Sequence, residues 1–509
     1  MTAHRRFRPA LLPSALALSM AACSGGGGGE SRLDQNTIPS SSKSAQQCAP
    51  SNDYAPTPRT GSLATEKQWV RSYVNEAYLW YDEVPNVNSA DPVYNNAYAP
   101  YSLYMYFNAL KVSDKDRFSF MYPTADWLKL SGAGIEAGYG IEWLQGSSAP
   151  PRDIRIAYVQ PGSPAASSGL QRGDTLVTAD GVSADAVAGT ADDNTRQNAM
   201  FPSSTNEVHN FVFARTGAAN VPANLQSADV TKTPVPIAKV ITATDGAKVG
   251  YLLFHDHIVP AEQQLIDAIK LLKAGNVSDL VLDIRYNGGG YIYIASELAY
   301  MIAGPTQTTG KVFERYTYNA KRTADTNSAD SRLGFLNTSC LLDANYNCTD
   351  QSALPTLNLS RVHVITRPGT CSASEAVING LRGADVDVRQ IGGTTCGKPY
   401  GFTAKDNCGN SYFPIEFKGV NDKGFGDYAA GFTPGGSGTT HLPGCPTADD
   451  LGKPLGDVTE GMLATALAYR ANGSCTPGVG LEPPQGLRSA ANNGFMLRNP
   501  LRENRLLRK

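Results

Sequence analysis

Residues 280–284 read L-V-L-D-I, apolar at four of five positions, and an N-G-G-G run at 287–290 follows Arg285 and Tyr286. A strand that is apolar on both faces suits a sheet covered on both sides, the setting of parallel strands joined by crossover helices. Three successive glycines let the backbone turn sharply and aim N–H groups into a cavity. A helical run over 292–302 comes next. A chain organised around this element reads as α/β. Strand–glycine–helix elements can also hold phosphate, but no G-x-G-x-x-G is present and no G-K-[ST] closes this loop.

A second strand–turn–helix unit carries the candidate chemistry. The apolar stretch 361–366 feeds a Pro368-Gly369 turn, then T-C-S-A-S-E at 370–375, and small and apolar residues continue as a helix over 373–381. Ser372 therefore stands at a helix mouth, where unpaired N–H groups and the positive dipole end favour a developing oxyanion. Gly397-Lys398 follows downstream. Serine and lysine together can hydrolyse without histidine, provided burial brings the amine from about 10.4 to near 7. The plainer reading of these two residues is a helix N-cap serine and a surface lysine.

The ordered motifs L-V-L-D-I-R-Y-N-G-G-G (280–290), S-A-S-E (372–375) and T-C-G-K (395–398) resemble those of the C-terminal processing peptidases, the S41 serine peptidases. That resemblance implies Ser372 as nucleophile and Lys398 as general base. It also implies an oxyanion hole from the N–H of Ala373 and of Gly288 or Gly289. The fold it implies is a crotonase/ClpP-like catalytic domain over 236–475; periodicity alone says only α/β. Members of the family often carry glutamine four residues after the lysine, where this chain has Phe402. What orients Lys398 is thus open, with Thr403 as a polar neighbour.

Upstream, residues 62–128 read as a small helical domain. Thr65 to Gln68 forms a capping box, and Trp69, Val70, Tyr73, Ala77, Trp80 and Tyr81 recur at helical spacing. Residues 130–235 resemble a PDZ domain through Gly138-Tyr139-Gly140-Ile141, P-G-S-P-A-A (161–166) and R-G-D (172–174). Such a domain takes an extended peptide by strand addition, with the 138–141 turn offering N–H groups to a terminal carboxylate. A β-rich spacer that binds nothing is the bland alternative.

The first 22 residues read as a signal peptide, basic at Arg5, Arg6 and Arg8 and apolar over 10–22. Met20-Ala21-Ala22-Cys23 resembles a lipobox, so the expected mature protein hangs from the envelope by lipidated Cys23, facing the periplasm, with the outer membrane as the expected host. A flexible tether spans 23–61, and residues 476–509 read as a disordered basic tail. Eight further cysteines in an exported chain imply disulfides; short loops make Cys340–Cys348 and Cys396–Cys408 attractive pairs and Cys445–Cys475 a plausible one, but sequence alone leaves the connectivity open. Cys371, beside Ser372, is a rival nucleophile. His255 and His257 share a strand face but lack a third ligand, so no metal or cofactor is expected; either could also replace lysine as base. A net charge of −2 with interspersed signs offers no footprint for nucleic acid. The expected function is an envelope-anchored serine endopeptidase acting on protein or peptide substrates. The alternatives are a non-catalytic PDZ adaptor and a small-molecule hydrolase.

Overall fold

The computed structural model describes residues 37–342, 347–475, 495–497 and 505–506. The signal segment, Cys23 and the start of the tether lie outside the described residues. A six-stranded sheet organises the C-terminal half, in the order Ile237–Thr242, Lys248–Leu253, Asp279–Asp283, Arg361–Thr366, Asp387–Gly392, Gly444–Pro446. Its first pair is antiparallel and each later pair is parallel. The Asp279–Asp283 strand lies inside the sheet, buried at every position. Strand side chains alternate between faces. Leu280 and Leu282 meet the helices Ala261–Ala274, Ile292–Ala303 and Ala373–Gly383, whereas Val281 meets Leu463 and Ala466 of the helix Gly461–Asn472. Both faces are covered, as the doubly apolar pattern requires.

The N-terminal helices Leu63–Ala77 and Ala99–Ala109 form, and the region they build packs directly against residues 402–415. Strand Phe120–Pro123 pairs with Asn410–Phe413, and Trp69, Leu103 and Phe107 share a core with Phe402, Tyr412, Phe413 and Ile415. The capping box differs from expectation. Ser62 is the N-cap and Thr65 reciprocates, because the helix begins before Thr65 and leaves that threonine at its third position. Glu66 instead lies under the preceding segment, accepting from Ala49 N–H at 2.7 Å and Asn52 Nδ2 at 2.8 Å. Cys48 is bonded to Cys408, so the described part of the expected tether is packed down rather than free.

Residues 135–231 form a β-rich unit around Trp143, Ile154, Ile156, Phe211 and Phe213. Its sheet runs Ile141–Gln145, Ile154–Val159, Thr175–Ala179, Val208–Ala214, Val221–Gln226. Outside Ile141–Gln145 lies one more strand, Phe495–Leu497, and Arg505–Leu506 pairs with Gly290–Tyr291. Two stretches of the tail expected to be disordered are therefore strands. An open sheet edge offers unpaired N–H and C=O groups, which composition does not reveal.

A buried carboxylate fastens this unit to the six-stranded sheet. Asp449 accepts from Arg172 at 2.6 Å, from Arg285 at 2.9 Å, and from Arg367 and the Tyr286 hydroxyl. Burial alone would raise this carboxyl, but the guanidiniums of Arg172, Arg367 and Arg285 outweigh it and hold the group well below the usual range. Arg285 is itself shared with Asp283 at 2.8 Å and Glu460 at 2.7 Å. Removing one partner of such a network leaves an uncompensated buried charge, at a cost of about 3–5 kcal/mol. Among the described residues, no helix is long and apolar enough to cross a membrane.

Candidate active site

The strand Arg361–Thr366 ends in a turn closed by Thr370, whose N–H donates to Arg367 O at 2.8 Å and whose hydroxyl donates to Ile284 O at 2.9 Å. Ser372 comes two residues later with φ 60° and ψ −113°, and the helix Ala373–Gly383 starts immediately after it. A non-glycine residue rarely adopts that backbone, at a cost of about 1–3 kcal/mol, and it persists only where the surroundings over-determine it. They do so here. The Ser372 N–H donates to Glu375 Oε2 at 2.9 Å, and Ser374 Oγ donates to Asn287 O at 3.0 Å.

Glu375 joins the serine turn to the lysine loop. Besides the Ser372 N–H, its carboxylate accepts from Gly397 N–H at 2.8 Å, Lys398 N–H at 2.9 Å and the Thr395 hydroxyl at 2.5 Å. The main chains of Ser372 and Lys398 thus meet at one oxygen. Burial raises the Glu375 carboxyl above its ordinary value despite these four donors. Beside it the Cys371–Cys396 disulfide links the same two loops. Cys396 is therefore not bonded to Cys408 as short-loop reasoning suggested; Cys408 is held near the N-terminal segment and bonds Cys48. Cys340–Cys348 and Cys445–Cys475 form as expected. The bond also disposes of one alternative: Cys371 has no thiol to act as a nucleophile.

Ser372 and Lys398 are both without solvent exposure. The Lys398 Nζ lies 4.9 Å from the Phe118 ring centre and 4.5 Å from that of Phe402. Phe402, at the position where glutamine was expected, thus walls in the amine. Its ring also meets Phe120 and Phe413, each at 5.6 Å. The neighbouring Arg117 donates to Cys396 O, so the N-terminal segment supports the lysine loop directly. Gly397 has φ 82°, and a Cβ there would meet Ala429 O at 2.2 Å; only glycine fits.

The N-G-G-G turn is fixed by neutral groups. Asn287 Oδ1 lies 3.0 Å from His257 Nδ1 and accepts from Gly289 N–H at 2.9 Å, while Asn287 O accepts from Cys371 N–H at 3.1 Å. The Gly289 N–H is thereby engaged within the turn. His257 N–H donates to Gly289 O at 3.1 Å, and its own carbonyl accepts from Tyr291 N–H at 2.8 Å. Burial lowers the His257 imidazole to about 4. A neutral ring donating through Nδ1 to the asparagine oxygen satisfies this arrangement. His255 instead stacks on Tyr158, ring centres 4.0 Å apart. The two histidines therefore serve different neighbours.

In the β-rich unit, Gly138 ends the strand Ile135–Gly138 and Ile141 begins the next. Gly140 has φ 76°, and a Cβ there would meet Ser163 Cβ at 2.3 Å. The Tyr139 ring packs against Phe211 at 5.5 Å and points into the core rather than toward a groove. Sequence reasoning quoted Glu375 without giving it a role. Its spacing from Ser372 is that of a helix-start S-x-x-E signature, which would have found it. Nothing in the sequence announced Arg117 and Phe118 beside Lys398.

Residues 248–406 match the family model described as Peptidase family S41, and residues 65–120 match the one described as Peptidase S41 N-terminal domain. The chain carries S41 peptidase family domains. A solved structure from Bacteroides fragilis NCTC 9343, provisionally named an S41 protease, is similar at 22% identity and a TM-score of 0.57, covering 80% of this chain and 97% of that one. That likeness concerns the fold. The photosystem II D1 C-terminal processing protease matches at 18% identity and a TM-score of 0.42, covering 75% of this chain and 93% of that one. No curated protein matches the chain.

Proposed function

We propose that this protein is a serine endopeptidase in which Ser372 attacks the scissile carbonyl and uncharged Lys398 takes the hydroxyl proton. The observation that carries this reading is the shared Glu375 carboxylate, which holds the backbone of a strained, buried serine and that of a buried lysine together. The Ala373 N–H at the helix start is one oxyanion donor. Gly288 supplies the other, since the Gly289 N–H is engaged by Asn287. An acyl-enzyme forms and water releases it. Losing one such donor costs about 3–4 kcal/mol, which accounts for how many bonds fix this turn.

The β-rich unit acts in this reading as a PDZ-like module that takes extended peptide along Ile141–Gln145, next to the Gly138–Ile141 turn. Four disulfides fit an exported protein, consistent with the signal segment and an acyl anchor on Cys23. The test is digestion of a panel of unfolded proteins by wild type, Ser372→Ala and Lys398→Ala, with fragment ends read by mass spectrometry. Each substitution is expected to slow cleavage by roughly 10⁴-fold or more, as for other catalytic units, while the melting transition persists. Normal turnover by Ser372→Ala refutes the assignment.

A further inference from the structure

The chain's own C-terminal segment lies on both stretches of backbone that an extended substrate would use. Phe495–Leu497 pairs antiparallel with Trp143, Leu144 and Gln145, in the strand that leaves the Gly138–Ile141 turn. Arg505–Leu506 pairs parallel with Gly290–Tyr291, directly after the N-G-G-G turn, and lies beside Tyr400–Gly401, two residues past Lys398. A side-chain contact accompanies the main-chain pairing. Met496 is buried in a cluster with Leu144, Ala157, Tyr158 and Tyr286, at the joint between the β-rich unit and the six-stranded sheet. Tyr286 immediately precedes Asn287, so the cluster reaches the oxyanion turn.

Strand addition supplies affinity through main-chain hydrogen bonds and specificity through pockets for side chains; here the main-chain pairing is accompanied by one buried side chain, Met496. We propose that the C-terminal segment is an in-cis occupant of the peptide-binding track, with Phe495–Leu497 on the β-rich unit and Arg505–Leu506 beside the catalytic turn, holding the enzyme closed until it is displaced or removed. The proposal rests on the peptidase reading for its consequence, but not for the binding itself. A tethered ligand competes at roughly millimolar effective concentration, so only a strong or locally concentrated substrate displaces it. The burial of Ser372 and Lys398 in this structure fits a closed state.

The test uses three proteins that all carry Ser372→Ala: the full chain, a chain ending at Asn493, and the full chain with Met496→Asp. The aspartate buries a charge in an apolar cluster and should release the segment without deleting it. A fluorescein-labelled peptide of residues 494–509 is titrated and read by anisotropy, with thermal melts confirming that each protein is folded. Both released forms should bind the peptide, and the full chain should bind it about tenfold more weakly or worse, given the tethered competitor. Equal binding by all three proteins, or binding by none, overturns the proposal. If the shortened chain does not fold, the Met496→Asp comparison decides alone. With Ser372 restored, the released forms should cleave an unfolded protein several-fold faster than the full chain. Peptide binding that differs as expected, with no cleavage by any form, sinks the peptidase reading and leaves tail occupancy standing. Cleavage at one rate by all forms, with equal peptide binding, sinks tail occupancy alone.

Discussion

Two seams meet at Ser372, and they are built from opposite chemistry. On the lysine side a disulfide and a buried carboxylate bind the loops: Cys371–Cys396, and Glu375 with its four donors. On the glycine side the fastenings are neutral, an asparagine amide and an uncharged imidazole, Asn287 and His257. A buried carboxylate and a disulfide hold the loop that carries the buried Lys398. In the proposed mechanism, a neutral turn leaves its field free for charge that develops only during reaction, which is where preorganised donors are most effective. The seams should therefore fail under different insults.

The largest difference is expected from Glu375→Gln. An amide offers one acceptor oxygen where the carboxylate offers two, and its NH₂ faces main-chain donors. We expect a loss of about 3–5 kcal/mol of stability, as for other broken buried networks, with activity lost as well. Urea titration and peptide hydrolysis read both. Retained stability with full activity would show that the disulfide alone suffices.

Acid separates the seams next. The folded His257 value, about 4, lies below its ordinary 6.5. The stability this ring contributes is therefore fully present above pH 6.5 and is lost as pH falls through 4. The interval corresponds to about 3 kcal/mol. Glu375 has the opposite sign: its folded value is raised, so its contribution is greatest below 4.5 and declines as pH rises above that value. Stability measured between pH 4 and 7 should lose its His257-dependent upward slope in His257→Gln. An unchanged slope breaks the contrast.

Reductant should act mainly on the lysine side. Replacing Cys371 and Cys396 by alanine opens a loop of 25 residues, worth about 2–4 kcal/mol in similar proteins. Activity should fall in the double variant and become insensitive to dithiothreitol at this site, a comparison made by hydrolysis rates with and without reductant. The smallest effect is expected from Phe402→Leu. It thins the apolar wall that keeps the Lys398 amine dry and should cost about 1–1.5 kcal/mol, seen as a modest fall in kcat and a displaced pH profile.

Much of the scaffold was legible because its signals are local. The L-V-L-D-I strand, the glycine turn and the serine at a helix mouth each depend on periodicity and turn chemistry within a dozen residues. What failed depended on distant partners. Short loops suggested Cys396–Cys408, but folding brings Cys371 to Cys396 and Cys48 to Cys408 across 360 residues. The helical segment gave no hint of its seat on the later strands, because nothing local says that Phe120 will pair with Phe413. The tail suggested disorder because its composition cannot bury a core, yet an existing sheet edge supplies the partners it lacks.

Local patterns along the chain already specify an α/β protein with a serine at the start of one helix, a glycine-rich turn after a buried strand, and a lysine on a later loop. That one carboxylate grips the backbone of both Ser372 and Lys398, and that Phe118 and Phe402 wall in the amine, emerges only once the chain is folded. The difference is one of range. Backbone preference and side-chain alternation act between near neighbours, whereas a buried charge finds its donors only after strands far apart in the chain are side by side.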